Sequence, residues 1–201
     1  MYGRFGTGRS NNAQIEKKFY DTTLALPAGG LQASVSQATG QINLTMAQGT
    51  GASARIGQKI IIKSIQVKLT ATLPAGAVDA DTMHVWLIQD SQCNGANAAS
   101  TTVFDNVGPV GSQLRNIENG QRFRILKHFV FNLNADAGVA AAFGGDEQQQ
   151  ECFIKCNIPI VYNGAAGAIA EIRSNNLFMV WGSTLVTATV AGRARIRYTD
   201  Q

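Results

Sequence analysis

The stretch Arg55–Leu73, RIGQKIIIKSIQVKLTATL, limits what this chain can fold into more than any other part of it. It gathers Ile60, Ile61, Ile62, Ile65, Val67 and Leu69 with almost no helix former between them. From Ile65 onward, Ile65, Val67, Leu69, Ala71 and Leu73 alternate with Gln66, Lys68, Thr70 and Thr72. Strand side chains point to opposite faces in turn, so this spacing predicts a long β-strand with one face in a core. Pro74-Ala75-Gly76 ends it. Such a strand needs a broad sheet to pair with and a second layer to cover its apolar face.

Other segments repeat the pattern. Thr82–Asp90 is apolar on both faces and reads as a central strand, with His84 as a packed histidine. In Gln121–Asn134, Phe123, Ile125, Phe129, Phe131 and Leu133 share one face, with Lys127 as the exception. Glu151–Tyr162 is a strand whose Pro159 suggests an edge. Asn176–Ser183 and Ala188–Thr199 are the last two strands, and Gln41–Met46 is a short one. Ala168–Arg173 fits a strand or a helical turn, and Leu114–Glu118 fits a helical turn. Nowhere does helical periodicity last three turns. The fold class is therefore all-β: a single jelly-roll β-sandwich of about eight antiparallel strands. The strand count alone does not reveal jelly-roll topology. Long connections such as Ser91–Gly120 and Ala135–Gln150 allow it.

Length matters here because 201 residues, 45% hydrophobic, suffice for one sizeable core. No run of eighteen apolar residues exists, so no helical membrane span is expected. The N-terminal residues lack the apolar segment of a secretory signal. Cys152 and Cys156 would share a strand face about 13 Å apart, too far for a disulfide. With Cys93 they read as free thiols made in a reducing compartment. They and two histidines are too few and scattered for a zinc site, and no metal or cofactor is expected.

Residues 1–20 form a separate basic arm ahead of a domain at 21–201. Arg4, Arg9, Lys17 and Lys18 against Glu16 give the arm a charge of +3, and its few apolar residues have no period. Such a segment is expected to be disordered in isolation. It fits a solvated tail or a nucleic-acid-binding arm. At the other end Arg193, Arg195 and Arg197 alternate with Ala194, Ile196 and Tyr198, which places three guanidinium groups on one strand face. That face fits plain solvation, a phosphate contact or a subunit contact.

No catalytic constellation is present: no Gly-x-Ser-x-Gly, no His-Glu-x-x-His, no phosphate loop ending in Lys-Ser/Thr. Asp79 and Asp81 read as solvated turn residues, with calcium at a subunit contact as the alternative. An enzyme is not expected.

Several pieces, taken in order, carry a resemblance. They are Glu16-Lys17-Lys18-Phe19-Tyr20-Asp21-Thr22, Arg55-Ile56-Gly57 before Ile60–Ile65, and Val85-Trp86-Leu87-Ile88-Gln89-Asp90 before Gln92-Cys93-Asn94-Gly95. Arg122–Lys127 and Ile158-Pro159-Ile160-Val161-Tyr162 before Leu177–Val180 complete the set. The chain resembles the single-jelly-roll capsid proteins of small circular Rep-encoding single-stranded DNA viruses, which are similar to satellite plant virus coat proteins. The likeness implies an icosahedral homo-oligomeric shell of about sixty copies, located in the virion, with assembly in the host nucleus or cytoplasm. It implies single-stranded DNA as the enclosed partner and no membrane insertion. The arm here is shorter than many in that family. Sixty arms supply roughly +180, whereas a gene for this chain alone brings roughly 600 phosphates. An inner wall must therefore help, and Arg193, Arg195 and Arg197 are its candidates. The rivals are a secreted pilus or adhesin β-sandwich and a carbohydrate-binding roll.

Overall fold

The long apolar stretch forms β3 (Lys59–Thr72), and the molecule is arranged about it. The structure, a computed structural model, describes residues 17–33, 41–42, 46–75, 77–93, 95–105, 108–135 and 146–201. Among these the remaining strands are β1 (Lys18–Leu26), β2 (Gln32–Ala33), β4 (Asp81–Asp90), β5 (Phe123–Leu133), β6 (Glu147–Tyr162), β7 (Ile172–Ser174), β8 (Asn176–Ser183) and β9 (Thr189–Asp200). One sheet runs β1-β9-β3-β6-β7 and the other β2-β8-β4-β5, with every pairing antiparallel. The chain changes sheet at each step from β1 to β4, again between β5 and β6, and twice more from β7 to β9. That wrapping is a jelly roll.

Between the sheets lie Ile60, Ile62, Ile65, Val67, Leu69 and Ala71 of β3 against Met83, Val85 and Leu87 of β4 and Phe129 and Phe131 of β5. All are essentially removed from water. The inward set of β3 changes phase between Ile62 and Ile65 because the register shifts between Ile62 and Ser64 against both neighbours. A bulge moves the following residues to the other face.

A second bulge corrects the expectation for the third strand. Leu87 pairs with Lys127 and Ile88 with Ile125, so Leu126 is extra. Phe129, Phe131 and Leu133 enter the central core, whereas Phe123 and Ile125 belong to a second cluster on the opposite face. In that cluster Trp86, Ile88, Phe178 and Val180 meet Val103 and Phe104 from the β4–β5 connection. The helical turn of this connection is α1 (Ser100–Val103), not Leu114–Glu118. Arg115 instead bridges to Phe104.

Other boundaries also move. Of the predicted strand at Gln41–Met46, the described residues show a bridge between Gln41 and Phe178, and residues 43–45 lie outside them. β6 starts at Glu147, inside what the sequence suggests is a loop. Ala168–Arg173 takes both readings: a 3-10 turn at Ile169–Glu171 leads into β7. Pro159 lies on a strand whose second neighbour reaches only Val161 and Tyr162.

Two buried charges fix the loops. Arg55 is fully buried, and burial pushes its pKa down. It donates to the carbonyls of Met46 and Gly57 at 2.8 Å each and of Gly164, with its guanidinium 4.1 Å from the Tyr162 ring centroid. Asp81 is not a solvated turn residue. Its carboxylate accepts the backbone N–H of Leu185, Thr187 and Ala188 and the Thr187 hydroxyl, at 2.8–3.2 Å. Burial alone would raise its pKa, but these donors lower it below the usual carboxylate value.

Candidate nucleic-acid interface

Val190, Ala194, Ile196 and Tyr198 of β9 point into the core and are buried. Period two then forces Arg193, Arg195 and Arg197 outward, where all three are exposed. The neighbouring strands extend this face into cross-strand rows. One row runs Phe19, Arg197, Ser64, Lys155; the next Asp21, Arg195, Gln66, Phe153; the third Thr23, Arg193, Lys68, Glu151. Five basic side chains thus stand in three adjacent rows with two carboxylates.

Both carboxylates are engaged. Asp21 takes the Arg195 fork, Nε to Oδ1 and Nη2 to Oδ2, at 2.7 Å each. The Arg195 guanidinium holds the Asp21 carboxyl below the usual carboxylate range. Lys68 Nζ lies 2.9 Å from Glu151. Among the described residues no carboxylate pairs with Arg193, Arg197 or Lys155. Arg193 and Arg197 are about 13 Å apart along β9, and Lys155 lies about 10 Å from Arg197 across two strand spacings. Lys63 adds a further exposed cation beside them, donating to Asn157 Oδ1 at 2.7 Å. A groove of about 270 Å³ is lined by Asp21, Gln66, Lys68, Arg193 and Arg195 on the same face.

The structure separates the other sequence candidates. Lys17 is exposed just ahead of β1. Lys18 lies within β1 opposite Tyr198, so residues 18–20 belong to the sheet and not to the arm. Its side chain is only 3% exposed, 3.0 Å from Asp200 Oδ2, and donates to the Ala54 carbonyl at 2.9 Å. A buried ammonium requires such partners, and holding them closes Lys18 to phosphate. Arg4 and Arg9 lie outside the described residues. Lys155, Lys68, Lys63 and Phe153 escaped the sequence reading. The signal for Phe153 and Lys155 is the alternation in β6, where Glu151, Phe153, Lys155 and Asn157 are exposed and the intervening Cys152, Ile154 and Cys156 are half-buried against the core; that for Lys68 is its place on the polar face of β3.

The opposite outer face, on the four-stranded sheet, offers no such array among the described residues. There His84 and His128 meet Nδ1 to Nε2 at 3.1 Å, and both rings stack on Trp86. Among the described residues no group of three or more His, Cys, Asp or Glu side chains is placed to hold a metal ion.

No protein-family model matches the chain, and no curated protein matches it in sequence. Among solved structures it is similar to the BFDV capsid protein solved as a 60-mer, at 11% identity and TM-score 0.31 over 91% of this chain and 90% of that one. It is also similar to a chain of the Israeli acute paralysis virus particle, at 9% identity and TM-score 0.32 over 100% and 74% of the two chains. The Bombyx mori densovirus 1 capsid gives 8% identity and TM-score 0.31 over 91% and 80%.

Proposed function

We propose that the chain is the capsid subunit of a small virus. Its jelly roll tiles with about sixty copies of itself, and its cationic sheet face turns toward an enclosed single-stranded genome, of DNA on the sequence resemblance. The observation that carries this reading is the face built by Arg193, Arg195, Arg197, Lys68 and Lys155. A rigid sheet holds five basic groups in three adjacent cross-strand rows, and three of them have no carboxylate partner among the described residues. Like charges so placed repel, and a polyphosphate relieves that repulsion while releasing counterions. Binding of this kind reads charge and not base sequence. Lys17 is exposed just ahead of β1 and adds to the positive charge, and Arg4 and Arg9, outside the described residues, are further phosphate contacts on this reading.

Sedimentation and negative-stain microscopy of the purified full chain test the assembly. Hollow or filled shells are expected. Monomers or dimers across a wide range of salt and pH would overturn the proposal.

A further inference from the structure

The outward positions of β6 from Glu147 to Asn157 are polar with one exception. Glu147, Gln149, Glu151, Lys155 and Asn157 are what an exposed strand face calls for. Phe153, in the middle, is 54% exposed. It covers no apolar neighbour on that face, because its row continues through Gln66, Arg195 and Asp21. A lone exposed aromatic is ordinary on a protein surface. This one is not alone. Phe19 is 43% exposed on the same face, one row away and three strands across, with the Arg197 guanidinium 5.1 Å from its ring centroid. The two rings thus stand about 14 Å apart laterally, with Arg195 and Arg197 between them and Lys155 beside Phe153.

We infer that Phe153, with Phe19, is a base-stacking platform for unpaired nucleotides on this face. Cationic side chains that track a backbone, interleaved with aromatic rings that accept bases, make up the usual single-strand binding surface. Arg193, Arg197 and Lys155 take phosphates; the open face of Phe153 takes a base. Every base has a π-face, so the contact is indifferent to sequence but requires the base to be unstacked. A duplex keeps its bases inside and leaves the ring without a partner. The charge of the face fits a polyanion, and the rings restrict it to a single-stranded one. This inference rests on the reading of the face as a nucleic-acid wall and adds to it a way of telling single strands from duplex.

Full-length protein stripped of nucleic acid by nuclease and high salt is titrated with three labelled probes of twenty units: oligodeoxythymidine, the matching abasic strand, and a duplex. Phe153→Leu is expected to weaken oligodeoxythymidine binding about 5-fold or more. Abasic and duplex affinities and all salt slopes stay unchanged, and Phe153→Tyr restores the loss. Unchanged oligodeoxythymidine binding overturns the inference, and so does an equal loss on the abasic strand. Failure of Phe153→Leu to form shells with probe affinities intact also overturns it, making the ring a subunit contact. A variant carrying Arg193→Gln, Arg197→Gln and Lys155→Gln separates this from the underlying reading. If it binds all three probes like the parent, the wall itself is wrong. If it loses all three while Phe153→Leu loses none, the wall stands and the stacking falls.

Discussion

The two sheets obey the same alternation, yet their outer faces have opposite characters. On the four-stranded sheet, Trp86, Ile88, Phe123, Phe178 and Val180 face outward and are buried under the β4–β5 connection. On the five-stranded sheet the outward residues are mainly arginine, lysine, glutamine and threonine, joined by Asp21, Glu151 and the rings of Phe19 and Phe153, with nothing among the described residues laid over them. Covering one face required a long connection with its own small core. The other face is left to water or to a partner. The sandwich therefore has a structural back and an available front, and the front carries the charge.

The largest expected effect tests the covered face. Trp86 is 4% exposed, with ring centroids 4.9 Å from Phe104 and 4.7 Å from His128. Trp86→Ala should cost about 3–5 kcal/mol in denaturant unfolding through lost burial and a cavity. The triple substitution of Arg193, Arg197 and Lys155 by Gln on the open face should stay within about 0.5 kcal/mol of the parent. Similar losses for both would erase the distinction between the faces.

Much of this contrast was legible in the sequence, and the failures have physical causes. β8 was read at its true limits because its eight residues are buried on both faces and leave no ambiguous end. The arginine row of β9 followed from period two alone. β2 was invisible because two residues carry no period; Gln32 and Ala33 are held as a strand only by Trp181 and Val180 across the sheet. The start of β6 was hidden by polar residues on its inward side. There Gln148 and Gln150 donate to the carbonyls of Asn132 and Val130, closing the gap between the two sheet edges where an apolar residue would be the expected sign. The bulge at Leu126 reversed the face of Phe123 and Ile125, a change that composition cannot show. Lys18 and Arg195 are candidate nucleic-acid-binding cations by sequence, yet both form ion pairs. Their carboxylate partners, Asp200 and Asp21, come from the opposite end of the chain, and only the β1–β9 pairing brings them together. Phe153 stands on the outward face of β6, but its neighbours there, Gln66, Arg195 and Asp21, come from other strands and are set only by the pairing.

The second test sharpens the comparison through binding. Each phosphate contact to a single strand contributes about 0.7 to the slope of log affinity against log salt. The triple Gln variant should lower that slope by about 2, measured by anisotropy with oligodeoxythymidine. Replacing polar residues of the other sheet, such as half-buried Thr82 and exposed Asn132, should leave it alone. A slope that falls equally in both cases would mean diffuse charge and no front.

A smaller effect in the opposite direction is expected at Asp21. Its carboxylate engages both forks of Arg195 at the surface, so Asp21→Asn releases a guanidinium without opening the core. Stability should stay close to that of the parent because the pair is exposed and water screens it. The salt slope should steepen by about 0.7 as Arg195 becomes a further phosphate contact. Weaker binding in this variant would show that Asp21 positions Arg195 for the strand instead of masking it.

The smallest effect belongs to the back of the molecule and depends on pH. Burial against Trp86 is the main cause that lowers the His128 pKa to about 4, with His84 and Lys127 adding to it. His84 is lowered by burial too, opposed by Asp81. In the unfolded chain an ordinary histidine titrates near 6.5. Above that pH both states are neutral and this pair adds no pH dependence. As the pH falls from about 6.5 toward 4, the unfolded chain takes up protons that folded His128 refuses, so stability declines across that window and levels off below it. Asp81 gives a separate loss at lower pH, because its carboxyl is held below the ordinary 3.8 and must be protonated before its loop contacts are released. His128→Gln should therefore flatten the decline between about pH 6.5 and 4 while leaving the steeper acid limb in place. The nucleic-acid salt slope, a property of the other face, should not change. A variant that altered the slope as well would join the two faces into one electrostatic unit and remove the separation on which the cationic front depends.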